Sequence, residues 1–258
     1  GLSTAFGEDR VMNTPISEAA IVGAAVGAAM EGFKPVAEIM IMDFIGIAMD
    51  QMVNHAAKVR YMSGGRTTCP LTVRTAVFAG TGSGGTHSQS LEAWFMHVPG
   101  MKVVFPSNAA DAKGLLLEAI FDPDPVLVIE ASRLYGLKGE VPVGDGHRVP
   151  IGKAATLRPG TDITLITYGL ATAATMQAAQ QLAEEGIEAE VLDLRSLLPL
   201  DMDTVLESVG RTRRAVIAHN ATTFAGPGAE VAAQISAKLF GVLAEPVQRV
   251  GAQFTPIP

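Results

Sequence analysis

The chain has 258 residues, 48% of them hydrophobic and 17% charged, a globular composition that excludes wholesale disorder. Its single cysteine excludes an internal disulfide framework and a cysteine-rich zinc module. The net charge is −7 and no Lys/Arg cluster occurs, so we expect no nucleic-acid partner. Acidic and amide side chains interrupt the longest apolar region, residues 39–53, and it is too short for a membrane span, so we expect no membrane partner.

Short β-branched runs alternate with longer alanine-rich stretches along the chain. The predicted strands are Val36–Ile41, Leu71–Val77, Met101–Phe105, Pro125–Glu130, Asp162–Thr167, Glu188–Leu194, Arg214–His219 and Pro246–Val250. The predicted helices are Glu18–Met30, Gly46–Arg60, Asp111–Phe121, Ala171–Glu185, Asp203–Val209 and Ala229–Phe240. Several strands are almost wholly apolar, as parallel strands buried on both faces are. This alternation predicts an α/β fold with parallel sheets and right-handed crossovers.

One stretch in the middle of the chain is typical of a domain boundary. Residues 136–150 contain four glycines and two prolines and lack a helical period. We therefore predict a first domain over 1–140, a linker over 141–150 and a second α/β domain over 151–258.

The first predicted helix carries a single acid at its start. Ser17 is a good N-cap and Glu18 in the first turn suits the helix dipole, so plain capping is one interpretation. The helix has no charge between Glu18 and Glu31, which predicts that it is buried all round. Gly23 and Gly27 would let another backbone approach closely. A carboxylate heading a buried helix would be poorly solvated, an environment that enzymes use for proton relays, so a catalytic acid is the second interpretation.

A glycine-rich loop follows the second predicted strand. Gly80, Gly82 and Gly85 match the dinucleotide-binding spacing, but the only acid at a suitable distance, Asp111, begins a helix. The other interpretation is a glycine loop that presents His87 at the mouth of a parallel sheet, where histidine can titrate near neutral pH. In isolation, this pattern favours an ordinary loop histidine.

Three motifs in order carry a family resemblance that covers essentially the whole chain. They are Thr14-Pro15-Ile16-Ser17-Glu18, Gly84-Gly85-Thr86-His87-Ser88-Gln89-Ser90 and Asp193-Leu194-Arg195-Ser196-Leu197-Leu198-Pro199-Leu200-Asp201. Together they resemble the β-subunit of the dehydrogenase component of 2-oxoacid dehydrogenase complexes. This group includes pyruvate, branched-chain 2-oxoacid and acetoin dehydrogenases within the transketolase-like superfamily. The resemblance implies two three-layer αβα domains with mostly parallel sheets, a pyrimidine-binding domain and a transketolase C-terminal-like domain, and further residues at both ends.

The resemblance also implies the cofactor and the partners. Thiamine diphosphate would be shared with an α-subunit in an α2β2 heterotetramer, and the α-subunit would hold the diphosphate and magnesium. Gly144-Asp145-Gly146 mimics the start of a magnesium motif but lacks the asparagines that should follow, so we interpret it as a linker turn. The acyl group would pass to a lipoyl acyltransferase. The substrate would be a 2-oxoacid or acetoin, with the pyruvate and acetoin branches favoured.

Individual site residues follow from the same resemblance. Glu18 would hydrogen-bond the aminopyrimidine nitrogen, so that the cofactor's own amino nitrogen can remove the thiazolium proton. Phe44 would stack on that ring, and Met40 would line its pocket. His87 would handle the substrate carboxylate or the incoming lipoyl group. A potassium ion would bind mainly main-chain oxygens of Leu71, Ala119, Ile120, Asp122 and Asp124.

Three alternatives remain open at this stage. The chain could be the C-terminal part of a single-chain transketolase or deoxyxylulose-phosphate-synthase relative, which an attached diphosphate-binding domain would reveal. It could be a non-catalytic partner subunit, against which the presence of Glu18 and His87 argues. A dinucleotide-binding oxidoreductase ranks last. We expect a cytoplasmic location, or the mitochondrial matrix in a eukaryote.

Overall fold

The computed structural model describes all 258 residues, Gly1–Pro258. The strands, in chain order, are β1 (Val36–Ile39), β2 (Thr72–Val77), β3 (Lys102–Val104), β4 (Val126–Ala131), β5 (Ala155–Arg158), β6 (Ile163–Thr167), β7 (Ala189–Asp193), β8 (Ser196–Leu198), β9 (Ala215–Thr222) and β10 (Gln248–Ala252). The α-helices are α1 (Leu2–Phe6), α2 (Glu18–Met30), α3 (Val59–Met62), α4 (Glu92–Met96), α5 (Ala109–Phe121), α6 (Ala171–Glu184), α7 (Met202–Thr212) and α8 (Pro227–Lys238).

The strands form two five-stranded sheets. The first has the order β1-β2-β4-β3-β8 and the second the order β10-β9-β6-β7-β5. Every pairing is parallel except β3 with β8 and β5 with β7, so each sheet has one antiparallel strand at an edge. Helices pack against both sheets, including α2 on β1 and α6 on β6 and β7. The predicted α/β class with mostly parallel sheets is confirmed.

All eight predicted strands are present, but β5 and β8 were missed. Both are short edge strands, and β8 has only three residues. β8 also pairs with the first sheet although it lies in the second half of the chain. Residues 135–154 form neither helix nor strand. The domain division at residues 141–150 stays a prediction. Strand β8 belongs to the second half of the chain but pairs with β3 in the first sheet, so the two halves are not structurally separate.

The predicted helix Gly46–Arg60 is wrong as a regular α-helix. The chain instead forms a 3-10 helix over Met42–Ala48, a π-helix over Gln51–Ala56 and the short α3. The buried side chains explain the change: Met42, Ile45 and Ala48 are spaced by three residues, which suits three residues per turn. The next buried residues, Met52 and Ala56, follow Ala48 at intervals of four residues. The π-helix has more residues per turn than the 3-10 helix, so these side chains still face the core.

Helix α2 is not buried all round, contrary to the sequence prediction. Val22, Ala25, Val26 and Ala29 face the core, whereas small residues on the opposite side are exposed. The sequence prediction took the absence of charge as a sign of burial. Alanine and glycine are uncharged but tolerate exposure, so they do not distinguish the buried side of α2 from the exposed side. None of the helices combines the length and the apolar character needed to traverse a bilayer.

Both sheets contribute to one continuous core. A single cluster of 38 buried residues contains side chains of the first sheet, such as Val73 and Leu127, and of the second, such as Ile217. Aromatic contact continues across the junction, where the Phe105 and Tyr168 ring centroids lie 5.7 Å apart. The two halves are therefore held together by packing as well as by the crossing of β8.

Candidate active site

The first sheet places the predicted site residues at one edge. β1 and β2 are parallel neighbours, so the segments after their carboxyl ends emerge on the same side. Met40 follows β1 directly, and the loop that carries His87 follows β2. Helix α2 precedes β1 and packs against it, so its start, with Glu18, lies at that edge as well. In open α/β sheets ligands bind at this edge.

Glu18 is the first residue of α2 and is half-buried. Ser17 occupies the N-cap position, but its side chain makes no capping hydrogen bond, and Ser17 itself is exposed. The interpretation of Ser17 and Glu18 as a simple helix cap is therefore weakened, because the Ser17 side chain does not cap the helix. Glu18 makes no side-chain hydrogen bond or ion pair within the chain, so its carboxylate remains free to accept an external partner.

Met40 and Phe44 lie in the segment that leaves β1. Met40 is 58% exposed, and Phe44 sits in the 3-10 helix, half-buried against the main core. Packing of Met42 and Ile45 in that core anchors the backbone on either side of Phe44. A rigid backbone with a partly accessible ring and an exposed thioether suits the face of a flat heterocycle.

The His87 loop has a backbone that depends on glycine. Gly82 and Gly84 adopt φ of +74° and +93°, a region that other residues enter only with strain. The His87 ring is half-buried, and its Nδ1 lies 2.9 Å from the Thr86 hydroxyl oxygen. Its ring centroid lies 5.2 Å from that of Phe44, with the planes at 84°. Two residues singled out separately in the sequence are therefore in direct contact.

Asp43 is a site neighbour that the sequence prediction missed. Its carboxylate accepts the main-chain N–H of Gln89 at 3.2 Å, which links the 3-10 helix to the His87 loop. Burial raises the pKa of Asp43, while the hydrogen bonds from the loop and the attraction of His87 act in the opposite direction. An acid inside an otherwise apolar run was the available signal, because such a residue is normally retained only with partners.

A large cavity of the molecule is not centred on these residues. It measures about 1510 Å³ and lies between α4, the segment after β8, the start of α8 and the final residues of the chain. None of Glu18, Met40, Phe44 and His87 lines it, but Gly85 and Gln89 of the His87 loop do. The Phe44–His87 contact lies outside this cavity, which borders the same loop through Gly85 and Gln89.

Four of the five positions of the predicted potassium site lie in the last turn of α5 and just after it, and Leu71 is the fifth. The Leu71 oxygen accepts the Val126 N–H, and Cys69 donates to the Pro123 oxygen, so the start of β2 lies beside the turn after α5. Main-chain oxygens are suitable ligands for a hard cation. The carboxylates of the turn are already engaged: Lys102 lies 2.6 Å from Asp122. Asp124 pairs with Arg60.

A buried polar network joins the two halves away from this edge. The Tyr168 hydroxyl donates to Glu92 at 2.8 Å, and the Tyr168 ring stacks on His219. Burial raises the pKa of Glu92. Burial also lowers the pKa of His219, whose Nε2 accepts the Gly228 N–H at 3.2 Å. Sequence patterns could not show this network because its members lie far apart in the chain.

Comparison with known proteins identifies the family. The family description "Transketolase, pyrimidine binding domain" matches residues 1–138, and "Transketolase, C-terminal domain" matches residues 152–258. The chain belongs to the transketolase-like family of dehydrogenase β-subunits. It is 48% identical to the acetoin:2,6-dichlorophenolindophenol oxidoreductase subunit beta of Cupriavidus necator over 97% of this chain and 74% of that protein.

Two further relatives are also β-subunits of this group. The chain is 48% identical to the corresponding Bacillus subtilis acetoin oxidoreductase subunit beta, over all of this chain and 75% of that protein. It is 43% identical to the Bacillus subtilis pyruvate dehydrogenase E1 component subunit beta, over all of this chain and 79% of that protein. The predicted family is therefore confirmed.

A solved structure supports the fold alone. The chain "Split gene transketolase, inactive beta4 tetramer" superposes with a TM-score of 0.79 over 98% of this chain and 80% of that one, at 24% identity. The predicted transketolase-like architecture is thus confirmed.

Proposed function

We propose that this chain is the β-subunit of a thiamine diphosphate-dependent dehydrogenase that acts on acetoin or a 2-oxoacid. One observation carries the proposal: the rings of Phe44 and His87 are in contact beyond the carboxyl ends of the parallel neighbours β1 and β2. Met40 follows β1 directly, and helix α2, which begins at Glu18, packs against the same strand. A free carboxylate, an accessible aromatic ring and an exposed thioether fit an aminopyrimidine. When bound, thiamine diphosphate supplies a thiazolium carbon that can attack the substrate carbonyl.

Glu18 is the acid of the site. Its carboxyl would hydrogen-bond the aminopyrimidine ring nitrogen and so would assist removal of the thiazolium proton. A half-buried carboxylate with no partner in the chain is suited to this role, because no internal cation or N–H competes for it. A bound ring would exclude water from Glu18 and would strengthen the hydrogen bond.

Phe44 and Met40 bind and orient the ring, and His87 acts on the substrate side. The contact between Phe44 and His87 fixes the imidazole beside the cofactor face. From there His87 can bind the substrate carboxylate or hold a proton for the incoming lipoyl group. Its role therefore follows the activation step in which Glu18 acts.

The partners complete the site. An α-subunit would hold the diphosphate and its magnesium in an α2β2 heterotetramer, since this chain has no cluster of three or more His, Cys, Asp or Glu that could hold a metal ion. A lipoyl acyltransferase would receive the acyl group. The 48% identity to two acetoin oxidoreductase β-subunits supports the acetoin branch ahead of pyruvate.

The test is reconstitution of the chain with its α-subunit. We expect the isolated chain to bind thiamine diphosphate weakly and to show no turnover, and the mixture to reduce dichlorophenolindophenol with acetoin or pyruvate. Tight magnesium-dependent binding by the chain alone would contradict the two-chain proposal. An assembled complex that binds cofactor but turns over no acetoin, pyruvate or 2-oxoisovalerate would identify a non-catalytic subunit.

Potassium at the turn after α5 is a separate proposal. The main-chain oxygens of Leu71, Ala119, Ile120, Asp122 and Asp124 would hold the ion and stiffen the junction with β2. A ligand that binds only the folded state at a hundred times its Kd stabilises it by about 2.7 kcal/mol. We expect a higher melting temperature in potassium chloride than in tetramethylammonium chloride of equal strength. Equal melting temperatures would contradict the site.

A further inference from the structure

Gln89 lies two residues after His87 and is bound from several directions. Its side-chain Nε2 donates to the Gly85 oxygen at 3.0 Å and to the Ile257 oxygen at 2.9 Å. Its Oε1 accepts the Ile257 N–H at 3.2 Å. The amide thus pairs with both main-chain polar groups of one residue near the end of the chain, as a neighbouring strand would.

The final segment lies directly against the His87 loop. A Cβ placed on Gly85 would be 3.5 Å from the Pro256 side chain, which is van der Waals contact. Ile257 is only partly exposed and packs on the main core, so it has contacts other than those with the loop. The Gln89 amide therefore connects the glycine-dependent loop to a core-packed residue in the second half of the chain.

The opposite side of the loop is fixed through the 3-10 helix. The main-chain N–H of Gln89 donates to Asp43, and the His87 ring contacts Phe44, which is the next residue after Asp43. The loop is held between the 3-10 helix on one side and Ile257 on the other. The direction of the His87 imidazole depends on both attachments.

We propose that Gln89 is a positioning residue: its amide couples Ile257 to the His87 loop and sets the orientation of the His87 ring against Phe44. Leucine at this position would lose every side-chain bond, and glutamate would face two carbonyl oxygens with no proton to donate. The catalytic consequence rests on the proposed function, whereas the geometric claim concerns the chain itself.

The geometric claim is tested by NMR of the full chain with 13C-labelled histidine. The Hε1–Cε1 signal of His87 is assigned by its loss in His87→Asn. We expect Gln89→Ala to shift that signal, while the signal of exposed His55 and all signals in the control Gln180→Glu, an exposed glutamine on α6, stay in place. An unshifted His87 signal in Gln89→Ala would overturn the proposal.

The catalytic consequence is tested in the reconstituted complex by the pH profile of Gln89→Glu. The ionised carboxyl cannot donate to Gly85 or Ile257, but the protonated carboxyl can donate to one of them. We expect kcat to fall by about tenfold at high pH and to recover towards the parent as pH falls, with KM for cofactor unchanged. Gln89→Ala should keep a constant ratio to the parent, so it corrects for pH dependence that does not come from residue 89. The other ionisable side chains near the loop are Asp43, His87 and the buried Glu92.

The outcomes separate the two claims. If the loss of kcat in Gln89→Glu does not vary with pH, the positioning role of the amide donor is overturned. If the parent complex shows no turnover but Gln89→Ala shifts the His87 signal, the proposed function fails and the positioning of His87 stands. If turnover is normal in the parent and in every Gln89 variant, the positioning role fails and the proposed function stands.

Discussion

The rings of Phe44 and His87 meet at 84° with their centroids 5.2 Å apart. This contact joins the 3-10 helix after β1 to the glycine loop after β2, the two segments that leave neighbouring parallel strands. It brings the residue proposed to bind the cofactor ring next to the residue proposed to act on substrate. Changes to either ring should therefore have effects that can be assigned to different steps.

His87→Ala should leave cofactor activation intact and impair the later steps. We expect thiazolium proton exchange to stay within a few-fold of the parent, while artificial-acceptor turnover, lipoyl acylation or both fall by about 10²–10⁴-fold. The lost ring contact with Phe44 should lower the free energy of unfolding by about 0.5–1.5 kcal/mol. The three assays are run side by side in the reconstituted complex, with exposed His97→Ala as the control. Normal values in all three assays would remove His87 from the site.

Phe44→Ala should weaken the binding of thiamine diphosphate. Removal of a stacking ring costs about 0.5–1.5 kcal/mol beyond lost area, which corresponds to a Kd for thiamine diphosphate that is about two- to thirteenfold higher. Isothermal titration calorimetry of the complex measures this change, with Phe240→Ala, at an exposed ring, as the control. An unchanged Kd in Phe44→Ala would show that this ring only packs against the core.

Asp193, at the junction of the two halves, should make the free energy of unfolding depend on pH. Burial raises its pKa to about 6, although the Ser107 hydroxyl and the Arg195 N–H bind its carboxylate. A raised pKa favours the folded state below the unfolded value of 3.8, and this contribution is lost as pH rises through about 6.

Asp193→Asn should remove this dependence. The unfolding free energy of the parent minus that of the variant should decrease by roughly 2 kcal/mol between about pH 4 and pH 7, since each pKa unit corresponds to about 1.36 kcal/mol and part of the change lies below pH 4. Urea unfolding at a series of pH values measures the difference. A difference that is constant across this range would contradict the raised pKa.

Much of the fold could be predicted because local patterns determined it. Helix α2 begins and ends at the predicted residues, and eight apolar runs became strands. The missed elements depend on tertiary context: β8 exists because the edge of β3 is available to it, and the Gln51–Ala56 segment widens to keep its side chains in the core.

The sequence predicted which residues form the candidate site but not the contacts that position them. Glu18, Met40, Phe44 and His87 could be named from motifs, but the bonds that hold them could not. Asp43 binds Gln89, and Gln89 binds Ile257, across long stretches of chain with no periodic signal. Such contacts follow from sheet order and loop shape, which the sequence alone does not specify.

The most direct test of the account is thiazolium proton exchange in the reconstituted complex with Glu18→Gln. The substitution keeps the size of the side chain and removes its ionisable proton, while Glu31→Gln at the other end of α2 is the matched control. We expect thiamine diphosphate still to bind and its exchange rate to fall by about 10²–10⁴-fold in Glu18→Gln alone. Exchange and turnover within a few-fold of the parent would contradict the assignment of Glu18 as the acid of the site.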